Sequence, residues 1–449
     1  MLDSVRSCIP YYKRNLRLAF PVMLTQLGSA MVGLVDSVMV GHYSTADLAA
    51  VSLGNGIFFT FMVFGLGAVM AVTPLVGQSF VQGEKERVSA LLQNGWWFTL
   101  MMTVVTSLVL LLCVPLIPFM GQDAEVASIA QPYLLYRIAG LMPFMFFCLH
   151  KQFLEGIGST LPAMFITLGA NVVNIALNYL FIYGKCGITP MGAKGAGIAS
   201  MITGILYFVG IVVVMWSKPE WKQYFTMFSR QGNSRILVRE LFRIGTPIGI
   251  QTTMETVLFT LSFIMVGWIS KEALAAHQIA NHIADLTFML ATGIGAATTI
   301  RVSHQYGLRD WKAMRMASNA SIHLVLLFNT IGATLMITLR NYIPYLFTDD
   351  TAVIEIASSL LVFAGLFQFS DGLQCVGAGM LRGITDVKAP MWFTVIAYVV
   401  IALPLGYMLM FKTDLGVQGM WVSFIVALAI VAIAFHIRFR LRLNSLHQS

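Results

Sequence analysis

Apolar residues dominate this chain in twelve long runs that short polar segments separate. An apolar run of about 20 residues is long enough to cross a hydrocarbon core of about 30 Å as an α-helix. The runs lack the alternation of apolar and polar positions that marks the strands of a membrane barrel, so helices are predicted. The predicted spans cover roughly residues 17–40, 48–76, 94–117, 133–154, 162–184, 194–216, 245–269, 275–300, 317–340, 354–381, 390–411 and 416–437.

The sequence also contains an internal repeat, because residues 21–76 reappear without a gap 226 positions later. Such a long period indicates that one half of the chain duplicates the other. Each half holds six spans, so both enter the membrane from the same side and the repeat is parallel, about an axis along the membrane normal. We therefore predict a six-helix N-lobe at residues 1–216, a cytoplasmic linker at 217–243 and a six-helix C-lobe at 244–449. Among the matched positions are Pro21 and Pro247, Met39-Val40-Gly41 and Met265-Val266-Gly267, and Asn55 and Asn281.

Composition and charge support a membrane protein. Of the 449 residues, 57% are hydrophobic and 11% charged, where globular chains have about 25% charged residues. With the N-terminus in the cytoplasm, 22 of the 28 Lys and Arg fall on the cytoplasmic side, which predicts that both termini lie there. The net charge of +8 then belongs to loops facing the anionic inner leaflet and does not indicate nucleic-acid binding. The basic residues left outside are Arg137, Lys185, Lys194, Lys271, Arg340 and Lys412.

Enzyme and cofactor motifs are missing from the sequence. It has no Walker A segment, no HExxH and no nucleophile elbow, so we predict a protein that is not an enzyme and is not driven by ATP. Energy would then come from an ion gradient or from a partner. Single, scattered cysteines argue against a disulfide framework or a zinc site: Cys8, Cys113, Cys148, Cys186 and Cys375.

The first predicted span contains an acid, Asp36, in an apolar run. Inserting a charged carboxylate at this depth of the membrane is unfavourable by at least about 2.5–3.5 kcal/mol, so we expect Asp36 to have a functional or structural role. Asn171, Asn174 and Asn178 share one face of the fifth span. Their amide oxygens suit a hard cation or a protonated acid. We predict a cation or substrate site of Asp36, Asn174 and Asn178; the alternative is a set of hydrogen bonds that only joins helices.

The second half carries different acids. In the repeat register Asp36 matches Ser262 and Glu255 matches Ser29, so the buried charge is asymmetric. A second cation or substrate site is predicted in the C-lobe, since polar stripes on membrane helices usually line a cavity or seam. For His282 and Asp285, a mutually satisfied structural pair is the alternative. The predicted C-lobe residues are Glu255, Asp371, Asp285, His282 and Gln278, with Asn281 on the same stripe.

Several segments resemble the multidrug and toxic compound extrusion (MATE) transporters, nearest the bacterial NorM-like branch, over almost the whole chain. They are Gly33-Leu34-Val35-Asp36, Asn174-Ile175-Ala176-Leu177-Asn178, Ala275-Ala276-His277-Gln278 and Leu381-Arg382-Gly383. The resemblance implies an all-α membrane fold with two six-helix lobes that form a V-shaped cleft. It also implies antiport of organic cations against Na⁺ or H⁺.

The resemblance also assigns roles to individual residues. It places the N-lobe cation site, a candidate for Na⁺, at Asp36, Asn174 and Asn178, and the C-lobe acids, also candidates for Na⁺, at Glu255 and Asp371. Phe367 stands where some members have a tyrosine, and Asp285 is an additional acid. These two departures leave the coupling ion and the lobe that binds it unassigned.

From these observations we predict a secondary active multidrug efflux antiporter of the bacterial inner membrane. Its partners would be amphipathic cationic drugs or dyes and the lipid bilayer; we expect a monomer, with no cofactor besides Na⁺ or H⁺ as the coupling ion. The 27 methionines and 31 phenylalanines suit a pocket for varied ligands, or simply face lipid. A lipid-linked precursor flippase, a solute transporter and a scaffold without turnover are the alternatives. Mainly acidic intramembrane charge favours a cationic cargo.

Overall fold

The structure is a computed structural model that describes residues 2–185, 187–229 and 232–448. Among the cysteines and basic residues counted above, Cys186 and Arg230 lie outside the described residues. The side chains of Arg6 and Cys8 also lie outside them.

The regular structure of the described residues is helical throughout, and twelve of its segments are long and apolar enough to cross a membrane. The prediction of an all-helical membrane protein with twelve spans is thus confirmed. The first six spans are α1 (Leu2–Gly41), α2 with α3 (Thr45–Val69, Val72–Val81), α4 (Lys85–Cys113), α5 (Ala124–Gly156), α6 (Leu161–Tyr183) and α7 (Gly192–Ser217). After α8 (Pro219–Thr226) come α9 (Arg235–Gly267), α10 (Lys271–Gly307), α11 (Trp311–Thr338), α12 (Thr351–Gly383), α13 with α14 (Lys388–Val395, Leu403–Phe411) and α15 (Val417–Gln448).

Several helices run beyond the predicted spans. The eighth span was predicted at 275–300, whereas α10 covers Lys271–Gly307. The additional turns are polar, so hydropathy alone does not register them. Short 3₁₀ helices extend the connections at Val114–Phe119 and Ile343–Leu346.

One span is interrupted by a π-helical segment, Ile396–Ala402, between α13 and α14. Pro404 follows it in the first turn of α14. Proline lacks an amide hydrogen and its ring clashes with the carbonyl four residues earlier, so the backbone widens ahead of it. Such π segments are frequent at functional sites, and Tyr398, whose hydroxyl lies near Glu255, is part of this one.

The helices form two compact units, one of Leu24–Gly249 and one of Met1–Met23 with Ile250–Ser449. The division falls inside α1 and α9, shortly after Pro21 and Pro247. We call these the Asp36 unit and the Glu255 unit, after the acid that each contains. The lobes at 1–216 and 244–449 stay a prediction about the duplicated halves.

The repeat is visible in the packing inside each unit. A Cβ atom added at Gly156 would lie 2.8 Å from Val76 Cβ and 3.0 Å from the Thr73 carbonyl oxygen. The equivalent contacts of Gly383 recur in the Glu255 unit, with Val302 Cβ at 2.7 Å and the Thr299 carbonyl oxygen at 3.1 Å. The duplicated sequences therefore build the same close helix contact twice.

The predicted linker contains a short helix, α8, which buries Trp221 and Tyr224. The hydroxyl of Ser89 on α4 donates to the Tyr224 carbonyl at 2.6 Å. Asn94 on α4 donates to the Gly232 carbonyl at 2.7 Å. The linker is therefore attached along α4 within the Asp36 unit. Its sequence did not indicate a helix because two turns are too short to show a periodic pattern.

Candidate functional site

The structure brings Asp36, Asn174 and Asn178 together in the Asp36 unit. Asp36 lies on α1 with 4% of its surface exposed. The amide of Asn178 on α6 donates to Asp36 Oδ1 and lies 3.1 Å from Asn174 Oδ1. The hydroxyl of Ser200 on α7 lies 3.4 Å from Asp36 Oδ2. Two helices, α6 and α7, therefore supply donors to one buried carboxylate on α1, which holds it in position in place of water.

The Asn178 carbonyl oxygen is buried and has no hydrogen-bond partner among the described residues. Buried acceptors of this kind are rare and indicate a missing ion, water or proton donor. Because the same side chain contacts Asp36, a small cation between Asn178 Oδ1 and the Asp36 carboxylate would receive two oxygen ligands of the kind that hard cations prefer. The residues present therefore fit a Na⁺ ion as well as a proton on Asp36.

The two remaining amides of α6 differ from Asn178. Asn174 donates to Thr203 Oγ1 at 3.0 Å and so belongs to the group around Asp36. Asn171 donates to the Gly28 carbonyl at 2.9 Å and accepts from the Tyr207 hydroxyl at 2.5 Å. Asn171 is thus occupied in joining α6 to α1 and α7, which favours a structural role.

In the Glu255 unit, Glu255 on α9 accepts from the amide of Gln374 on α12. The Tyr398 hydroxyl lies 2.7 Å from Gln374 Oε1 and 3.4 Å from Glu255 Oε1. A phenol has one hydrogen to donate, and the shorter contact takes it. Tyr398 therefore fixes the amide of Gln374 so that its NH₂ group points at Glu255.

Asp371 lies on α12, one turn before Gln374, with 5% of its surface exposed. It forms no hydrogen bond or ion pair with another residue in the described part of the chain. The negative charges of Glu255 and Asp285 both act on it. A buried carboxylate without donors is unfavourable unless a proton or a cation neutralises it. The Glu255 unit thus gathers three acids from α9, α10 and α12.

The polar stripe predicted on the eighth span divides in the structure. Gln278, His282 and Asp285 are exposed on one face of α10, whereas Asn281 is buried and donates to the His277 carbonyl at 3.0 Å. Over the described residues, His282 and Asp285 share no hydrogen bond or ion pair. The described residues therefore do not show a mutually satisfied pair, and the role of His282 and Asp285 stays a prediction.

Phe367 stands one turn before Asp371 on α12 and is 3% exposed. Its ring packs at steep angles on Phe259, Trp421 and Phe424, with centroids 6.2, 5.6 and 6.1 Å away. At this position the chain offers an apolar contact and no hydroxyl. A ligand of the C-lobe acids would therefore receive no oxygen from position 367.

Two arginines near these acids were assigned to loops by the sequence and lie in membrane-spanning helices in the structure. Arg137 of α5 acts with its positive charge on Asp36, and Arg382 in the last turn of α12 acts on Glu255. Arg382 Nη2 also lies 3.4 Å from Gln251 Oε1, one turn from Glu255 on α9. The intramembrane charge is thus less purely acidic than predicted. For Arg137 a signal existed, because it falls inside the predicted fourth span at 133–154.

Among the described residues, no group of three or more His, Cys, Asp or Glu is arranged to hold a metal ion. A bound Na⁺ would therefore rely on amide, hydroxyl or backbone oxygens beside one or two carboxylates.

Comparison with known proteins identifies the family. The MatE family model matches the chain twice, over residues 21–180 and 247–408. The two matches begin 226 positions apart, which is the period of the repeat. The chain belongs to the MatE family. It is therefore a membrane transporter and not an enzyme, as predicted.

Curated relatives and solved structures agree with this membership. The probable multidrug resistance protein NorM of Mannheimia succiniciproducens is 34% identical over 435 residues, which cover 95% of this chain and 93% of the relative. The multidrug resistance protein NorM of Vibrio vulnificus is 33% identical over 430 residues, or 94% of each chain. A MATE transporter in complex with MaL6 superposes with a TM-score of 0.88 at 21% identity over 98% of both chains. An outward-facing MATE family transporter of the MOP superfamily gives 0.89 at 20% identity over 98% and 97%.

Proposed function

We propose that this protein is a secondary active multidrug efflux antiporter that exports amphipathic organic cations in exchange for Na⁺ or H⁺. The proposal rests on a buried carboxylate in each unit that could still bind a cation or a proton. Asp36 adjoins the unpartnered Asn178 oxygen, and Asp371 has no donor among the described residues. Intramembrane acids of this kind mark ion and proton pathways.

A cationic cargo is supported by the charge of the two candidate sites. Asp36, Glu255, Asp371 and Asp285 outnumber the two arginines, Arg137 and Arg382. A lipid-linked flippase substrate carries phosphates and would favour the opposite balance. The NorM relatives are named as multidrug resistance proteins, which also supports a drug cargo.

The proposed exchange depends on neutralising the acids. A drug cation is attracted by the free carboxylates. When Na⁺ or H⁺ binds at Asp36 or among the C-lobe acids, that attraction is lost and the drug is released. The ion can shift the conformational equilibrium only by as much as its affinity differs between the two states. Because the coupling is reciprocal, bound drug must weaken ion binding by the same factor.

We also propose the cellular setting. The excess of basic residues on one side and the bacterial origin of the NorM relatives support a bacterial inner membrane location with both termini cytoplasmic. The protein would act as a monomer, since each unit contains its own acids.

The proposal is tested with Asp36→Asn in bacterial cells that lack their own efflux pumps and are loaded with a fluorescent organic cation. Asparagine keeps an acceptor for the Asn178 amide but carries no charge, so we expect normal amounts of protein in the membrane. Energised dye efflux should fall at least about tenfold, within the usual range of coupling energies. Asp414→Asn, in an exposed connection before α15, is the matched control and should leave efflux unchanged. Full efflux by Asp36→Asn would rule out Asp36 as the coupling acid.

A further inference from the structure

Arg137 is a charged side chain in the membrane-spanning part of the Asp36 unit, and the exchange described so far does not use it. It follows the start of α5 by 13 residues, or about 20 Å of helix. Its side chain is half-buried, and its guanidinium carbon lies 4.4 Å from the centroid of the Phe58 ring on α2. Its Nε is buried and has no hydrogen-bond partner among the described residues.

The packing of α5 against α7 fixes the height of Arg137 in the unit. A Cβ atom at Gly197 of α7 would lie 3.3 Å from the Tyr133 ring, and one at Gly140 of α5 would lie 2.9 Å from Met201 Cα on α7. Tyr133, Arg137 and Gly140 follow each other at helical spacing on one face of α5. Arg137 is therefore level with the segment of α7 between Gly197 and Met201.

Ser200 lies in that segment of α7, and it is the residue whose hydroxyl contacts Asp36 Oδ2. Arg137 thus stands at the level of the Asp36 carboxylate, on a neighbouring helix. The attraction between their charges is strong where water is excluded. In the described part of the chain no direct ion pair joins the two side chains, so their charges act on each other without contact.

A purely structural role would rest on the contact with Phe58. A cation over an aromatic ring contributes about 0.5–2 kcal/mol. Lys194 provides a comparison in the same unit, because its Nζ lies 6.0 Å from the Tyr136 ring centroid while the side chain stays exposed. Lys194 obtains this contact without burying its charge, whereas Arg137 carries its charge into the membrane. The nearby Asp36 explains that burial, and Phe58 alone does not.

We propose that Arg137 is the resident counter-cation of the Asp36 site. It balances the carboxylate when no coupling ion is bound, and the coupling ion and the drug cation must both bind against its charge. Arg137 thereby sets the affinity of this site for cations and prevents either ligand from binding too tightly to be exchanged. This role rests on the proposed function, in which Asp36 takes up the coupling ion.

The test compares Arg137→Gln, Arg137→Lys and the matched control Lys194→Gln in proteoliposomes. Dye efflux is measured over a range of concentrations of the coupling ion. Without the positive charge, the ion concentration for half-maximal efflux should fall at least about fivefold. Arg137→Lys should restore it to within about twofold of the unaltered protein, as should Lys194→Gln. A structural role would change the amount of active protein, and so the maximal rate, but not this concentration.

A second readout does not depend on transport. Na⁺ and protons are titrated against the purified variants in detergent, and the melting temperature is followed, because a ligand of the folded state raises it. The ion-induced rise should begin at lower ion concentration in Arg137→Gln, and Asp36→Asn should abolish the difference. An unchanged or higher half-saturating concentration in folded Arg137→Gln, or an Arg137→Lys variant that behaves like Arg137→Gln, would overturn the proposal. If the unaltered protein shows no ion-driven efflux, the proposed function fails, and the melting titration still decides the role of Arg137.

Discussion

Tyr398 shows how much a single hydroxyl contributes at the residue scale. It contacts Gln374 Oε1 at 2.7 Å and so directs the Gln374 amide towards Glu255. Tyr398 and Gln374 are each 1% exposed, so a Gln374 oxygen that loses this donor is poorly placed to be hydrated instead. The orientation of the Glu255 site therefore depends on a residue from the π-helical segment, far from Glu255 in sequence.

Replacing Tyr398 by Phe should weaken transport by about fivefold, and the free energy of unfolding should fall by about 1–3 kcal/mol because Gln374 Oε1 is left without a donor. The matched control is Tyr407→Phe, an exposed tyrosine on α14. Efflux in proteoliposomes and melting temperature are measured for both. Equal behaviour of the two variants would contradict the role assigned to the hydroxyl.

Part of the candidate site could be predicted from the sequence, because some of its residues stand out from their immediate neighbours along the chain. Asp36 is conspicuous as an acid in an apolar run, and Asn174 and Asn178 are one helical turn apart, so periodicity alone puts them on one face. Ser200 and Tyr398 could not be found in this way. Nothing in their sequence neighbourhood distinguishes them, and only the packing of separate helices brings them to the acids.

At the scale of elements, the close helix contacts at Gly156 and Gly383 hold the same geometry in both units. The atoms that an added Cβ would meet belong to a β-branched side chain and to a backbone carbonyl. Neither can move aside easily, because both are fixed within packed helices. Repeated glycines at such contacts indicate that close approach of the backbones is required.

Gly156→Ala and Gly383→Ala should each destabilise the protein by about 1–3 kcal/mol through overpacking. Gly169→Ala on α6 is the control, since no atom lies within 4 Å of its added Cβ. It should be neutral or stabilise by up to about 1 kcal/mol. Melting temperatures in detergent measure the three variants. A control as unstable as the other two would show that the close contacts are not the cause.

The helices themselves were largely predictable because apolar length is a strong signal in membrane proteins. Their ends were less so, as α10 shows, since polar terminal turns continue a helix without adding hydropathy. The helix α8 and the π-helical segment at Ile396–Ala402 depend on tertiary packing and on Pro404. Neither produces a periodic pattern long enough to recognise.

At the scale of the whole molecule, the duplication was predictable because 226-residue spacing recurs in matched residues and again in the two family matches. The placement of charge was less predictable. Counting Arg137 and Arg382 as loop residues followed from the positive-inside rule. That rule concerns loops and cannot identify a basic side chain that stays in the membrane beside an acid.

The proposed orientation predicts that the two ends of α15 lie on opposite sides of the membrane. Asp414 precedes this helix and Ser445 lies near its end, about 42 Å beyond its first residue, Val417, at 1.5 Å per residue. In a background without native cysteines, Asp414→Cys should react with a membrane-impermeant maleimide in intact cells, and Ser445→Cys should react only after the cells are opened. The reverse pattern would invert the topology.

The most direct test of ion-coupled efflux uses the purified protein in vesicles that contain a fluorescent cationic dye. A Na⁺ gradient and a pH gradient are imposed separately, with Asp36→Asn vesicles prepared in parallel. We predict that dye moves against its own gradient under at least one of the two ion gradients, and that Asp36→Asn abolishes this movement. Folded protein that moves no dye under either gradient, or equal movement by Asp36→Asn, would contradict it.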